Sequence, residues 1–574
     1  MIKKYSVLLV FSMILFISIF FRIYQLGDVP HGLHNDEVAN AYGTKFILMN
    51  GVDIYGNRWP LFYFDKFGDY PPVLPMYLSG IGAYIFGPTV FGARFFIALT
   101  GALLVIPVFF ISLYIFRRKI TALFTSFTIA ILPALIITSR LSAEGIVAVT
   151  VYITALLLLL LAHKQKHIGL LILSSLLFFL TYLLYPSFRI TTPLTFVGGL
   201  LLFKKSDIKS KYCYSYLTML VLSFILMLAI TNTHWGKGRF AQTSIFNVVS
   251  GVQILIDQLT FNENNIYIAR IFNNKFLGYS RELLFQYFSY FSPNYLFMND
   301  SKPLAYQVPN SSLTYITLLL LILISSLTYF QSKNKLVDYR LFIFIIWILL
   351  ISPLSASLTV IDVPNMHRAL LQFVMIVFVA SYGFNSLLYI KWRNIPFYII
   401  PIILILFECV IFTHNYFQHA SVYTSVYRND GNMEAAQIIQ RDKHKYKTIY
   451  VSNQERWMPL YFLYFSNNYN RSLIGKFQIP DFKISEINTI HFPQIVCPSN
   501  EVFNAYIQKL DLSIYENNMF VDVSECKDSY SKEKMSLFNK PIVIQRVNET
   551  DAFHILTTKS NLNLIREENK ILSK

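Results

Sequence analysis

The chain is poor in charge and in cysteine: of 574 residues, 14 % are Asp, Glu, Lys or Arg, and four are Cys. So little charge, beside 54 % hydrophobic residues, 16 % aromatics and a mean hydropathy of +0.46, excludes an ordinary water-soluble protein. Zinc-type Cys/His spacing, a P-loop, a G-x-G-x-x-G run, a nucleophile elbow and an internal repeat are also lacking, so the common sequence signatures of metal, nucleotide and serine-hydrolase chemistry are missing. No small-residue cleavage site follows the apolar run that ends near Phe21, which reads as a retained first span rather than a signal peptide.

What is present is a series of long apolar runs. They read as spans near 5–21, 89–116, 120–138, 145–162, 168–185, 190–203, 214–231, 313–330, 340–358, 369–390 and 395–413, about eleven and up to thirteen. The stretch 73–87 reads as an interfacial or re-entrant helix. Lys3 and Lys4, Arg117 to Lys119, Lys164 and Lys166, the group Lys204 to Lys211, Lys333 and Lys335, and Lys391 and Arg393 then fall on one side, which predicts that side, with the N-terminus, to be cytoplasmic. The long loops, 22–88 and 232–312, fall outside.

Residues 415–574 are a different material. They hold 19 Lys and Arg against 17 Asp and Glu and alternate strand-like runs ("YKTIYVS", "MFVDVS", "KPIVIQRV") with helix-like ones ("NMEAAQIIQR"). The expected organisation is therefore a polytopic α-helical membrane part, 1–414, followed by a small extracytoplasmic α/β domain, 415–574. The net charge of +17 comes mostly from the membrane half, where cytoplasmic anchoring accounts for it, and nucleic acid is not needed as a partner. Cys213 and Cys409 read as packing residues, whereas Cys497 and Cys526 share the outer domain and can pair in an oxidising compartment.

Candidate chemistry collects in the outer loops. The first contains "HNDEVANAY", with Asp36 and Glu37 adjacent, then Asp53, Asp65, and Asp69 and Tyr70 in "GDYPPVLPMYL". Crowded carboxylates leave two uses open, a base with a raised pKa or a site for a divalent cation, for which Asp36 and Glu37 are the candidates. Asp53 and Asp65 read as solvated. Cations recur where other spans leave the membrane: Arg140 with Glu144, four apart and hence on one helical face, then Arg189, Lys237, Arg239, His367 and Arg368. Each alone is equally a snorkelling anchor, but together they suit an anionic lipid head group. The aromatic "FSYFSPNYLFMND" in the 232–312 loop reads equally as an interfacial belt or a cover for a lipid-linked substrate.

The ordered set of "HNDEVANAY", "GDYPPVLPMYL" and "SRLSAEG", with about a dozen spans and an external C-terminal domain, resembles GT-C glycosyltransferases. Within them it is most similar to bacterial members of the protein O-mannosyltransferase and lipid A aminoarabinose-transferase group. The resemblance implies transfer, with inversion, of a sugar from a polyprenyl-phosphate donor to an extracytoplasmic lipid, glycan or protein acceptor. By the same resemblance the loop carboxylate maps onto Asp36 with Glu37 beside it, the second acid onto Glu144, and the phosphate-binding cations onto Arg140, Arg189, Arg239 and Arg368. No β-trefoil insertion is seen in 232–312, which leaves the acceptor open. Two other classes share some of these features, a lipid-linked sugar transporter or flippase and a surface-polysaccharide polymerase or ligase. A transporter would show half-repeats and mid-membrane charges; a polymerase would carry its main loop later in the chain.

Overall fold

The structure is a computed structural model; it describes residues 2–66, 70–207, 209–237, 244–246, 251–261, 265–298, 302–331, 338–392, 395–453, 456–477 and 484–566. It has the expected two parts, a helical membrane body and a small mixed-sheet domain.

The body begins with α1 (Ile2–Ile23). The first long loop carries α2 (Asn35–Asn50) and α3 (Met76–Ile85), and α4 (Val90–Leu103) runs on into α5 (Val105–Phe116). There follow α6 (Lys119–Ile131), α7 (Pro133–Ser139), α8 (Glu144–Gln165), α9 (Ile168–Leu184), α10 (Phe188–Gly199) and α11 (Lys211–Thr231). After the second long loop come α12 (Ile316–Gln331), α13 (Tyr339–Ile351), α14 (Leu370–Leu387) and α15 (Ile399–His414). Among the described residues, seven helices can cross a membrane by length and composition, or eight if α6 and α7, bent by 51° at Pro133, form one span. Three further helices that fall on expected spans, α9, α10 and α12, are apolar but shorter than the ~20 residues that span ~30 Å of hydrocarbon. Helix α3 has ten residues, too few to cross the hydrocarbon of a membrane. Helix α14 is buried along its whole length and forms the axis of the body, while α1 and α11 keep most of their surface outward, as lipid-facing helices do.

The C-terminal domain follows α16 (Asn432–Asp442) with β1 (Thr448–Val451), α17 (Met458–Phe465), β2 (Glu486–Ile487), β3 (Ile490–His491), β4 (Asn518–Val523), β5 (Ile542–Gln545) and β6 (Asp551–Thr557). The sheet order is β2-β3-β1-β4-β6-β5; β1 is parallel to β3 and β4, and the other pairs are antiparallel. Alternation puts Met519 and Val521 on one face and Phe520 on the other, so the sheet is covered on both sides. Cys497 and Cys526 form a disulfide.

The first long loop and this domain share one core. Val38, Tyr42, Phe46 and Phe64 of the loop pack with Ala435, Ile439, Ile449 and Tyr461 of the domain. Burying the apolar face of α2 against the sheet domain holds the loop that carries Asp36 and Glu37 rigidly at the top of the membrane body. The aromatic run of the second loop divides. Phe285 and Phe288 are exposed, whereas Tyr290 and Tyr295 are fully buried behind the turn at Asn365.

Candidate active site

Helix α2 is set by its own first turn. His34 stands at the N-cap and accepts from the Asp36 amide, while the Glu37 carboxylate reaches back to the His34 amide, a capping box that also places both acids at the positive end of the helix. Adjacent helical residues point about 100° apart, so the two acids diverge.

Glu37 points inward and is sealed. Its Oε1 accepts from Arg94 Nε at 2.8 Å and the Ser142 amide at 3.0 Å; its Oε2 accepts from Arg428 at 2.5 Å, Arg94 Nη2 at 3.1 Å and the His34 amide at 3.0 Å. Burial pushes its pKa up, but the charges of Arg94 and Arg428 outweigh this and hold it well below the usual carboxylate range. Five donors occupy the carboxylate, so a cation held jointly by Asp36 and Glu37 does not fit.

Asp36 points outward, with its side chain 52 % exposed. Lys66 Nζ donates to Oδ1 at 2.7 Å, and His34 Nδ1 lies 3.7 Å from Oδ2. One turn along the same face, Asn40 donates to Glu144 Oε1 at 3.0 Å. Glu144 is the first residue of α8, where the helix dipole favours its charge. Gly145 follows because the chain from the opposite side passes close: a Cβ there would lie 3.0 Å from the His367 carbonyl and 3.4 Å from its Nδ1.

That opposite segment, "VPNMHRALL", is a turn fixed by Asn365, whose Oδ1 accepts from the amides of His367 at 3.0 Å and Arg368 at 3.3 Å. His367 is buried, and its Nε2 has no partner among the described residues. Burial, helped by the Arg368 charge, pushes its pKa down to about 4, so the ring is neutral at pH 7.

Beyond His367 lies a cavity of about 320 Å³ lined by Arg189 and Arg368 and, among the described residues, by no carboxylate. Tyr185, Ser187 and Arg368 also line the narrow space that reaches Gly145 and His367. Arg368 is braced by Thr359 Oγ1 at 2.6 Å and the Ile361 carbonyl, and the Arg189 guanidinium lies 5.0 Å from the Trp235 ring. Trp235 in turn closes an apolar groove of about 630 Å³ between α9 and α11, walled by Phe179, Leu183, Leu226 and Ile230.

Other sequence candidates lie elsewhere. Arg140 is fully buried and donates to the carbonyls of Phe21, Gln25 and Val29, binding the exit of α1 to the body. It does not share a helical face with Glu144, because α7 ends at Ser139 and α8 begins at Glu144. Tyr70 packs against Tyr63 and His234, and Lys237 is exposed beyond α11. Asp69 and Arg239 lie outside the described residues. Asp53 is buried rather than solvated; it accepts from the amides of Tyr55 and Asn57 and holds a turn. Asp65 is buried as well. Sequence reasoning passed over Arg94, Arg428, Asn40 and Lys66. Arg94 had a signal, as the only charged residue in the apolar run 90–116; Arg428, in a polar stretch, had none.

No protein-family model and no curated protein matches the sequence. Among solved structures the chain is similar to ArnT from Cupriavidus metallidurans bound to undecaprenyl phosphate, with 12 % identity, 97 % of this chain and 98 % of that one covered, and a TM-score of 0.49. It is also similar to the archaeal oligosaccharyltransferase AglB from Archaeoglobus fulgidus in complex with an inhibitory peptide and a dolichol-phosphate, with 13 % identity, 99 % and 78 % covered, and a TM-score of 0.46.

Proposed function

We propose that the protein is a membrane glycosyltransferase that moves a sugar from a polyprenyl-phosphate donor to an acceptor hydroxyl on the outer face of the membrane, with inversion at the anomeric carbon. The observation that carries this reading is one continuous arrangement. An exposed carboxylate, Asp36, stands beside the Asn40–Glu144 pair; the neutral His367 comes next; then a cavity with two guanidiniums opens beside an apolar groove.

Each part has a task in that reaction. The apolar groove takes the prenyl chain, and Arg189 and Arg368 take the phosphate, whose charge grows as the sugar departs. Asp36 receives the proton of the acceptor hydroxyl as its oxygen bonds to the anomeric carbon and the carbon–phosphate oxygen bond breaks. The phosphate leaves as an anion, so no second carboxylic acid is needed to protonate it, unlike in glycoside hydrolysis. Lys66 fixes the position of the Asp36 carboxylate, and Glu144 with Asn40 supplies a fixed hydrogen-bonding edge for the sugar. Glu37 is the clamp on which the loop is built rather than the base.

The test is transfer of labelled sugar from a panel of polyprenyl-phosphate sugars by the purified protein in lipid. Consumption of one donor by the wild type and not by Asp36→Asn supports the reading. If no donor is consumed while lipid-linked sugar crosses the bilayer, the protein is a transporter and the reading fails.

A further inference from the structure

In the outer domain a second cavity, about 180 Å³ in volume, opens at the carboxyl ends of β1 and β4. In an open sheet with parallel strands this is the place where ligands bind, above all where successive connections leave in opposite directions. Here β1 is followed by β3 on one side, and the chain then crosses to place β4 on the other side of β1. The cavity sits at that switch point.

Its walls carry an unfulfilled polar group. Asn453, two residues beyond β1 and 3 % exposed, lines the cavity, and its carboxamide oxygen has no partner among the described residues. A buried amide oxygen left unpaired is costly, and a bound donor would remove the cost. Around it stand Asn432, Glu525, Arg546 and the indole of Trp457. Planar amide, carboxylate and guanidinium groups beside one aromatic plate match a pyranose ring, which offers vicinal hydroxyls along its edge and a patch of C–H bonds on its face.

We propose that this cavity is a carbohydrate-binding site that takes a single pyranose residue. Its rear wall is the segment 426–432, which also supplies Arg428 to Glu37 and Asp430 to His31 Nδ1 at 2.8 Å. The site therefore adjoins the Asp36 loop through one rigid segment, and in the reading above it holds the sugar of a glycan acceptor. That role rests on the proposed transferase function; the binding itself does not.

Saturation-transfer NMR on the full chain in nanodiscs tests it, with methyl α-mannopyranoside, methyl β-galactopyranoside and N-acetylglucosamine as probes. At least one probe is expected to receive saturation from the wild type and from Asp36→Asn alike. The signal should weaken about tenfold in Asn453→Ala and Trp457→Ala. Glu525→Gln, at an exposed position where folding is not at issue, should weaken it too. No saturation transfer to any probe overturns the proposal. So does a signal that survives Asn453→Ala, Trp457→Ala and Glu525→Gln, or one that disappears in Asp36→Asn, which would place the sugar at the transfer site. None of these results depends on whether a donor is ever consumed, so the failure of one reading leaves the other standing.

Discussion

Asp36 and Glu37, adjacent in the chain, occupy opposite environments: the carboxylate of Asp36 is half exposed beside Lys66, whereas that of Glu37 is enclosed by Arg94 and Arg428. A pair of acids that looks redundant in sequence is thus divided into one group open to a substrate and one group committed to the frame. The division follows from the helical step between neighbours and from the capping box that fixes the start of α2.

The first consequence concerns turnover. Asp36→Asn keeps the size and the hydrogen-bonding capacity of the side chain but cannot take a proton. Transfer is expected to fall by about 10²- to 10⁴-fold, the usual contribution of a positioned base. Donor binding, measured by titration with the polyprenyl phosphate alone, should be unchanged; if it is lost as well, Asp36 is a binding group and not the base.

Glu37→Gln should act on stability instead. Removing the charge leaves two buried guanidiniums without their counter-ion, and breaking a buried pair costs about 3–5 kcal/mol. The expected result is a thermal midpoint lowered by several degrees. An unchanged midpoint with turnover abolished would mean that Glu37 takes part in the reaction.

Much of this architecture was readable before any coordinates. The apolar runs reappear as helices and the change of composition near residue 415 as a small mixed-sheet domain. What could not be read was which neighbour of a pair faces which way, because the answer lies in distant partners: Arg94 is 57 residues from Glu37 and Arg428 is 391 residues away. The separation of Arg140 from Glu144 was hidden for another reason. The chain leaves the helix at 140–143 without a proline to announce it, and periodicity alone continues straight through.

The two cations of the 320 Å³ cavity should affect the donor more than the chemistry of the acceptor. Replacing Arg189 or Arg368 by Ala removes a charge-assisted contact worth about 1.5–3 kcal/mol, so donor affinity should weaken by roughly 10- to 100-fold for each. Arg140→Met is the contrasting case. Arg140 binds carbonyls of the α1 exit and lies outside the cavity, so its loss should lower the thermal midpoint and leave the affinity of the remaining folded protein within about twofold. Equal losses of donor affinity in all three variants would remove the cavity from the donor site.

The disulfide in the outer domain closes a loop of 29 residues, and a cross-link of that span stabilises a chain by about 3–4 kcal/mol through its effect on the unfolded state. Cys497→Ser should therefore lower the thermal midpoint of the outer domain. The same shift should follow reduction of the wild type, and reduction should not shift the variant further.

The pairing of the outer loop with the domain should also depend on pH. The hydrogen bond and charge of Asp430, with Glu434 nearby, raise the pKa of His31 against the opposing effect of burial. A histidine whose pKa is higher when folded than the unfolded 6.5 stabilises the fold fully below 6.5, and that stability is lost as pH rises through its folded value. His31 and the amide of Val547 in turn hold the pKa of Asp430 below 3.8, against its own burial, so the contribution of Asp430 is present above 3.8 and lost in stronger acid. The clamp is strongest between these limits. Compared at a series of pH values, the wild type should exceed His31→Gln in thermal midpoint most clearly near pH 5 to 6. The difference should shrink steadily toward pH 9, and a difference that instead grows with pH would mean that the neutral imidazole makes the contact.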